Sequence, residues 1–292
     1  MTPRHPFRFG VVAAQARSAD DWIDRGRRAE SLGFATLVMP DTMGPTLSPI
    51  PSLGVLAGAT RTLRLGAYVL AADFRNPALL ARECAALDFL SGGRLEIGLG
   101  AGRPAVEDDH RKMGIPHESG GARVTRLAET VAVVKRMLAG EPAGDGADGY
   151  PPPAQRPRPP ILLAASGPRL LALAAREADI VAIGAGPQEG EAGIRDRVER
   201  LRAAAPERFD DLELNMNLVA VGDRLHPAAA ARMGVDLEQL ARSGSPMVLT
   251  GGPDEMAERL LRTRETLGIS YVTVADAFMD VFAPVVERLA GG

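Results

Sequence analysis

Residues 61–126 read RTLRLGAYVLAADFRNPALLARECAALDFLSGGRLEIGLGAGRPAVEDDHRKMGIPHESGGARVTR. Two short apolar runs, Leu63–Leu70 and Leu95–Leu99, bracket an amphipathic segment, Pro77–Leu90. That pattern is strand, helix, strand, with a turn at Ser91-Gly92-Gly93. The second strand runs into Gly100-Ala101-Gly102-Arg103-Pro104, and a long polar loop follows. A compact βα unit with an outsized loop at a strand's C-terminal end points to a (β/α) barrel with its active site there.

The same alternation extends outward. Strands are expected at Phe7–Ala13, Ala35–Met39, Pro160–Ala165, Ile180–Ile183, Leu212–Val221 and Tyr271–Ala275. Ser18 caps a helix that ends at Gly33, with acids in its first turn. Further helices are expected at Ser52–Thr60, Ala122–Ala139, Glu189–Ala205, Pro227–Ser243, Pro253–Leu267 and Val281–Leu289, and one starts at Pro168. Thr42–Pro51 carries three prolines and reads as a loop, and the Pro/Gly-rich Gly140–Pro160 reads as a surface excursion. Eight strands alternating with helices give an α/β fold, a single (β/α)8 TIM-type barrel over 1–292 with insertions on the strand C-terminal side. Alternation alone also fits a doubly wound sheet.

Composition excludes several classes. The 292 residues are 46% hydrophobic, ample for a large core. Lys+Arg total 34 against Asp+Glu 37, so no basic surplus grips nucleic acid. The single cysteine, Cys84, excludes an intrachain disulfide and lies in an apolar stretch, as a buried inert thiol would. His5, His110, His117 and His226 are scattered without metal-ligand spacing, so no metal is expected. No apolar run approaches the ~18 residues of a membrane span, and the N-terminal MTPRHPFRFG lacks a signal-peptide core. A cytoplasmic protein is expected.

Several segments together resemble the bacterial luciferase-like superfamily of flavin- and deazaflavin-dependent oxidoreductases. They are Arg64-Leu65-Gly66, Val69-Leu70, Phe74-Arg75-Asn76-Pro77, Leu87–Arg94 (LDFLSGGR), Gly98–Gly102 (GLGAG), Gly252–Leu260 (GPDEMAERL) and Leu267–Tyr271 (LGISY). The resemblance implies a barrel with FMN or coenzyme F420 at the strand C-termini, and often a homodimer paired through helices beside the second and third strands. The helix carrying Leu80, Cys84, Leu87, Phe89 and Leu90 has apolar surface to spare for such pairing. The Phe74–Pro77 and Gly100–Pro104 patterns lean toward the F420-associated branch.

Site residues divide between the two kinds of reading. Asp41 ends the second strand, at the barrel mouth. The family commonly has an acid followed by histidine there, but this chain has Asp41-Thr42. Asp41 is the catalytic candidate, and a turn carboxylate is the structural alternative. Tyr68-Val69 sits where the family often carries a non-proline cis peptide behind the flavin ring. Gly100 and Gly102 permit close backbone approach by a ligand, or simply a sharp turn. Arg103 follows them. Arg123 lies in a helix's first turn, unfavourable for a cation unless an anion joins it, and the family frequently uses an arginine here for the cofactor phosphate. Ser166, Gly167 and Arg169 open another helix, where free N–H groups suit an anion unless Ser166 is an ordinary cap. Thr250–Glu255 has a similar look, but its acids mark it as a cap. Glu107–His110 reads as a solvated loop.

The expected function is therefore hydride transfer or oxygen activation on a small organic substrate, as an oxidoreductase or monooxygenase. A non-catalytic flavin-binding or structural barrel subunit is the alternative, kept open by the missing histidine.

Overall fold

The computed structural model describes residues 5–102, 106–141, 153–225 and 237–292. Barrel strands are β1 (Arg8–Val12), β2 (Thr36–Met39), β3 (Arg64–Ala67), β4 (Leu70–Ala71), β5 (Leu95–Gly100), β6 (Ile161–Ala165), β7 (Ile180–Ile183), β8 (Glu213–Asn217) and β12 (Ile269–Ala275). Helices α1 (Ala19–Ser31), α2 (Pro49–Ala59), α3 (Pro77–Ser91), α4 (Val106–Met113), α5 (Gly120–Leu138), α6 (Pro168–Glu177), α7 (Gly190–Ala204), α8 (Leu237–Arg242), α9 (Pro253–Leu267) and α10 (Met279–Leu289) alternate with them. The hydrogen-bonded order is β3-β2-β1-β12-β8-β7-β6-β5-β4, and β3 also pairs with β5. Since β3 and β4 both lie parallel to β5, they are halves of one interrupted strand. The order thus closes into an eight-stranded parallel barrel. Every residue of β5 and of β12 is buried, as strands covered on both faces must be.

Four departures from the sequence reading have local causes. The expected strand Leu63–Leu70 breaks in two. Leu65 faces Leu95 and Gly66 faces Glu96, an offset of thirty, whereas Leu70 faces Leu99 and Ala71 faces Gly100, an offset of twenty-nine. One residue is therefore extra, as in a bulge. The helix expected from Ser52 starts at Pro49, because proline is at home in a first turn that needs no N–H donor. The expected strand Leu212–Val221 splits at Leu218, and its end, β9 (Ala220–Val221), joins β10 (Arg224–Leu225) and β11 (Val248–Leu249) in a separate small sheet. The polar loop after β5 contains α4, taken up below. Much of the Gly140–Pro160 excursion and of the Pro227–Ser243 helix lies outside the described residues.

Two compact units can be distinguished. The first comprises Met1–Ala13, Arg28–Thr36 and Ala165–Gly292. Here Phe9 stacks on Phe7 and meets Phe282 edge-on, with centroids 5.5 Å apart in the second pair. The Thr36 and Tyr271 hydroxyls bond at 2.6 Å. Arg8 grips Glu213 through Nε and Nη2 and lies over the Tyr271 ring at 3.8 Å.

The second unit comprises Ala14–Arg27 and Leu37–Ala164. Helix α3 starts on Asn76, whose Oδ1 accepts from the Ala78 and Leu79 amides, and ends at Gly92 in the left-handed region. The LDFLSGGR segment then acts as a lock. Arg94 donates to the Ser91, Leu63 and Ala57 carbonyls and to the Thr60 hydroxyl. Asp88, fully buried, accepts from the backbone and side chain of Gln155. Cys84 is buried, which pushes its thiol up to about 12 and leaves it inert. Among the described residues no helix is long and apolar enough to cross a membrane, and no cluster of His, Cys, Asp and Glu could hold a metal.

Glycines at β5 admit the interrupted strand. A Cβ at Gly98 would lie 1.9 Å from the Ala67 carbonyl oxygen, and one at Gly100 would lie 2.5 Å from a Val69 methyl. Gly98→Ala is therefore expected to lower stability by roughly 1–3 kcal/mol or more, because backbone cannot step aside as a side chain can. Gly58→Ala, in α2 with open space around it, is expected to raise stability by about 0.5–1 kcal/mol. Thermal midpoints moving the same way in both variants would contradict this packing.

Candidate active site

The site is built within the second unit, where β2, the β3–β4 strand and β5 end. The Tyr68 amide donates to the Met39 carbonyl at 2.7 Å, tying the interruption to the end of β2. The Tyr68-Val69 peptide is cis, where the family resemblance expects it. Asp41 follows β2. Its carboxylate takes a bidentate grip from Arg75 and accepts from the Ala71 amide at 3.2 Å. Both partners are largely buried, with side-chain exposures of 7% for Asp41 and 18% for Arg75. Both oxygens of the carboxylate are thus engaged, and the pair ties Asp41 to the segment 71–75.

Asp41, Arg75, Met43, Phe74, Met113 and the Thr42 and Thr46 hydroxyls line a cavity of about 320 Å³. Its charges cancel in the Asp41–Arg75 pair. Its walls combine thioethers and a ring with hydroxyls, which suits a small molecule with an apolar body and a hydrogen-bonding group.

Glu107–His110 was expected as a solvated loop and is instead part of α4. Asp109 and His110 are buried, at 2% and 1% exposure. Asp109 accepts from the Met43 amide at 3.1 Å, and His110 meets the Phe74 ring edge-on at 5.9 Å. The burial follows from Val106, His110 and Met113 recurring at helical spacing, a signal present in the sequence but diluted by the charges between them.

From His110 a polar row runs outward. Its Nε2 lies 2.8 Å from Asp73 Oδ2. The contact is oblique, so Asp73 serves mainly as a charge, and its two oxygens have no aligned donor among the described residues. His110 Nδ1 is 3.0 Å from His117 Nδ1, and His117 Nε2 is 3.3 Å from Arg123 Nη1. Arg123 also donates from Nε to the Ala101 carbonyl at 2.9 Å and from Nη1 to the Glu118 carbonyl at 2.6 Å. Its Nη2 has no acceptor among the described residues. Of these four side chains the sequence reading singled out only Arg123. Asp73, His110 and His117 are joined by tertiary packing.

The remaining candidates fall as follows. Gly100 has a packing reason for lacking a Cβ, the Val69 methyl, and Gly102 has a φ of +83°. Neither glycine requires a ligand to explain it. Arg103 lies outside the described residues. In the first unit, Ser166 is exposed and is not the cap of α6. The N-cap is Gly167, with no side-chain bond to the helix, and Arg169 is exposed. Gly252, by contrast, donates its amide to the Glu255 carboxylate at 2.9 Å, a cap as expected.

Comparisons with known proteins agree with this geometry. Residues 5–233 match the family model described as luciferase-like monooxygenase. An F420-dependent glucose-6-phosphate dehydrogenase of Beutenbergia cavernae is 27% identical, covering 90% of this chain and 88% of that one. The oxygenase component of a flavin-dependent trigonelline monooxygenase of Acinetobacter baylyi is 31% identical over 56% of this chain and 48% of its own. The coenzyme F420-dependent tetrahydromethanopterin reductase of Methanopyrus kandleri superposes with a TM-score of 0.78 at 20% identity, covering 98% of this chain and 99% of that one. That likeness carries the fold.

Arg75→Ala leaves the Asp41 carboxylate largely buried without its guanidinium. It is expected to lower stability by about 1–3 kcal/mol. Asp41→Ala with Arg75→Ala should recover part of that loss. Additive losses in chemical denaturation would show that the pair is not coupled.

Proposed function

Because the chain belongs to the luciferase-like monooxygenase family, we propose that it uses coenzyme F420 to move a hydride to or from a small organic substrate. FMN, with oxygen activation, is the second reading, and the 31% identical flavin-dependent relative favours it. The observation that supports F420 is coverage. The F420-dependent dehydrogenase aligns with 90% of the chain, whereas the flavin-dependent monooxygenase aligns with 56%. At the coarser level the protein is an enzyme of the luciferase-like F420- or flavin-dependent oxidoreductases.

The donor set fits a phosphate-bearing cofactor. Arg123 has Nη2 to spare, at the start of α5, whose Gly120 has open space around it. A guanidinium edge beside the positive end of a helix suits a phosphate. Tyr68 and Val69 would back the ring, and Gly100 and Gly102 stand as further cofactor contacts. When bound, the ring supplies the hydride chemistry. The chain's own part is to orient and to enclose. The Asp41–Arg75 pair fixes the cavity wall, and Phe74, Met43 and Met113 exclude water from it. The substrate is one that the cavity of about 320 Å³ can take.

Pairing into a homodimer belongs to the same reading. Leu80, Cys84 and Leu87, expected as spare apolar surface on α3, are buried in their own unit. Phe89 and Leu90, expected with them, are exposed at 58% and 71%, joined by Leu79 at 49% and by Val55 of α2 at 46%. Large apolar side chains exposed together favour a partner, and a second copy of the chain is the simplest.

Titration of the purified protein with F420 and with FMN, followed by cofactor fluorescence, tests the cofactor, and binding of neither would overturn the reading. Arg123→Ala is expected to weaken the phosphorylated cofactor roughly tenfold to a hundredfold, because a bond to a charged group is worth about 1.5–3 kcal/mol. Phosphate-free analogues should bind the wild type and this variant alike. In sedimentation, Phe89→Glu with Leu90→Lys should convert a dimer into a 30.8 kDa species. A wild-type protein already of that mass at micromolar concentration would count against pairing.

A further inference from the structure

We infer that His110 and His117 are positioning residues that aim Arg123 at the cofactor phosphate only while both imidazoles are neutral. The inference rests on the phosphate reading of Arg123 and concerns side chains that reading does not use. Hydrogen-bond direction carries it. A guanidinium has donors and no acceptor, so His117 Nε2, 3.3 Å from Arg123 Nη1, must accept. A neutral His117 then carries its proton on Nδ1 and donates to His110 Nδ1, 3.0 Å away. His110 Nδ1 accepts, so its own proton sits on Nε2, facing the Asp73 carboxylate at 2.8 Å. One proton per ring satisfies both the ring-to-ring and the ring-to-guanidinium bond and leaves His110 Nε2–H facing Asp73 without an aligned hydrogen bond.

A second proton on either ring leaves two donors facing each other. If His110 becomes doubly protonated, its Nδ1–H meets the Nδ1–H of His117. If His117 shifts its proton to relieve this, its Nε2–H meets Arg123 Nη1. The conflict can move along the row but not vanish, and each form pushes against the guanidinium. Acidification supplies that second proton and so weakens the share of the hold on Arg123 that His117 provides, while its bonds to the Ala101 and Glu118 carbonyls remain.

Other charged groups face the row. Asp73 faces His110 from the segment after β4 and supplies the counter-charge to an added proton. From the segment before α5, Glu118 is paired with Arg126 at 2.7 Å. The Arg126 guanidinium holds its carboxyl below the usual carboxylate range, with smaller pulls from His110 and Arg123. On α4, Asp109 is engaged by the Met43 amide, and Asp108 is paired with Arg111 and Lys112.

The test is equilibrium binding to the full-length protein from pH 8.5 to 5.5. F420 is compared with its phosphate-free deazaflavin core, because the phosphodiester of F420 keeps one charge throughout. Wild type should lose roughly three- to tenfold in F420 affinity on acidification, the worth of one or two neutral hydrogen bonds, while the phosphate-free core is unchanged. His117→Ala, at an exposed position, should bind F420 at pH 8.5 about as weakly as wild type does at pH 5.5, with a flat profile. His110→Gln should also flatten the profile. A flat wild-type profile, or a sloping one unaffected by His117→Ala, overturns the inference while an effect of Arg123→Ala leaves the phosphate site standing. If Arg123→Ala changes nothing, the site and the inference fall together.

Discussion

Close approach between β5 and the interrupted β3–β4 strand is the constraint on which the candidate site depends. One extra residue lies between Gly66 and Leu70, and the space it needs is the space that side chains at positions 98 and 100 would fill. Without glycine there, Ala67 and Val69 could not lie against β5. The consequence reaches the chemistry, because the interruption sets where the chain resumes. Ala71 then bonds Asp41, Asp73 faces His110, and Arg75 returns to Asp41. Four functional candidates thus take their places from a packing condition on two hydrogen atoms.

The site holds one buried charge pair, Asp41 with Arg75, and sets the Asp73 carboxylate 2.8 Å from His110 Nε2. In the first, pairing offsets the desolvation that would make the acid costly alone. The Asp41 pair gives a cavity wall whose charges cancel. Asp73 roots a row of imidazoles ending at a cation. These are opposite uses of a carboxylate, one closing a pair upon itself and the other starting a row that extends outward to Arg123.

Family membership and geometry bear on different questions. The match over residues 5–233 fixes the class of chemistry. It says little about Thr42, His110 or His117, which are properties of this chain. An imidazole beside Asp41 would have offered a proton carrier at the cavity. Here His110 meets Phe74 edge-on and lies beside Asp73, and His117 reaches Arg123. In that position they can orient a binding group, and the two roles are physically distinct.

The sequence by itself determined what is periodic or local. Eight apolar runs alternating with amphipathic segments specified an α/β fold, since each strand is buried on both faces and each helix on one stripe, while closure into a barrel rather than an open sheet shows only in the pairing of β3 with β5. Pro77, Gly92, Gly33 and Gly268 marked helix ends because their backbone preferences hold in any context. Burial of Cys84 was equally legible. The tertiary structure alone decided what depends on distant partners. Residues 107–110 look soluble as a string, and only packing against Phe74 and the Met43 amide buries Asp109 and His110. Asp41 read as either a catalytic or a turn carboxylate, and only the structure shows that Arg75, thirty-four positions away, closes on it. The direction of a hydrogen bond between two histidines is written in neither residue; it follows from which atom the next residue in space can offer.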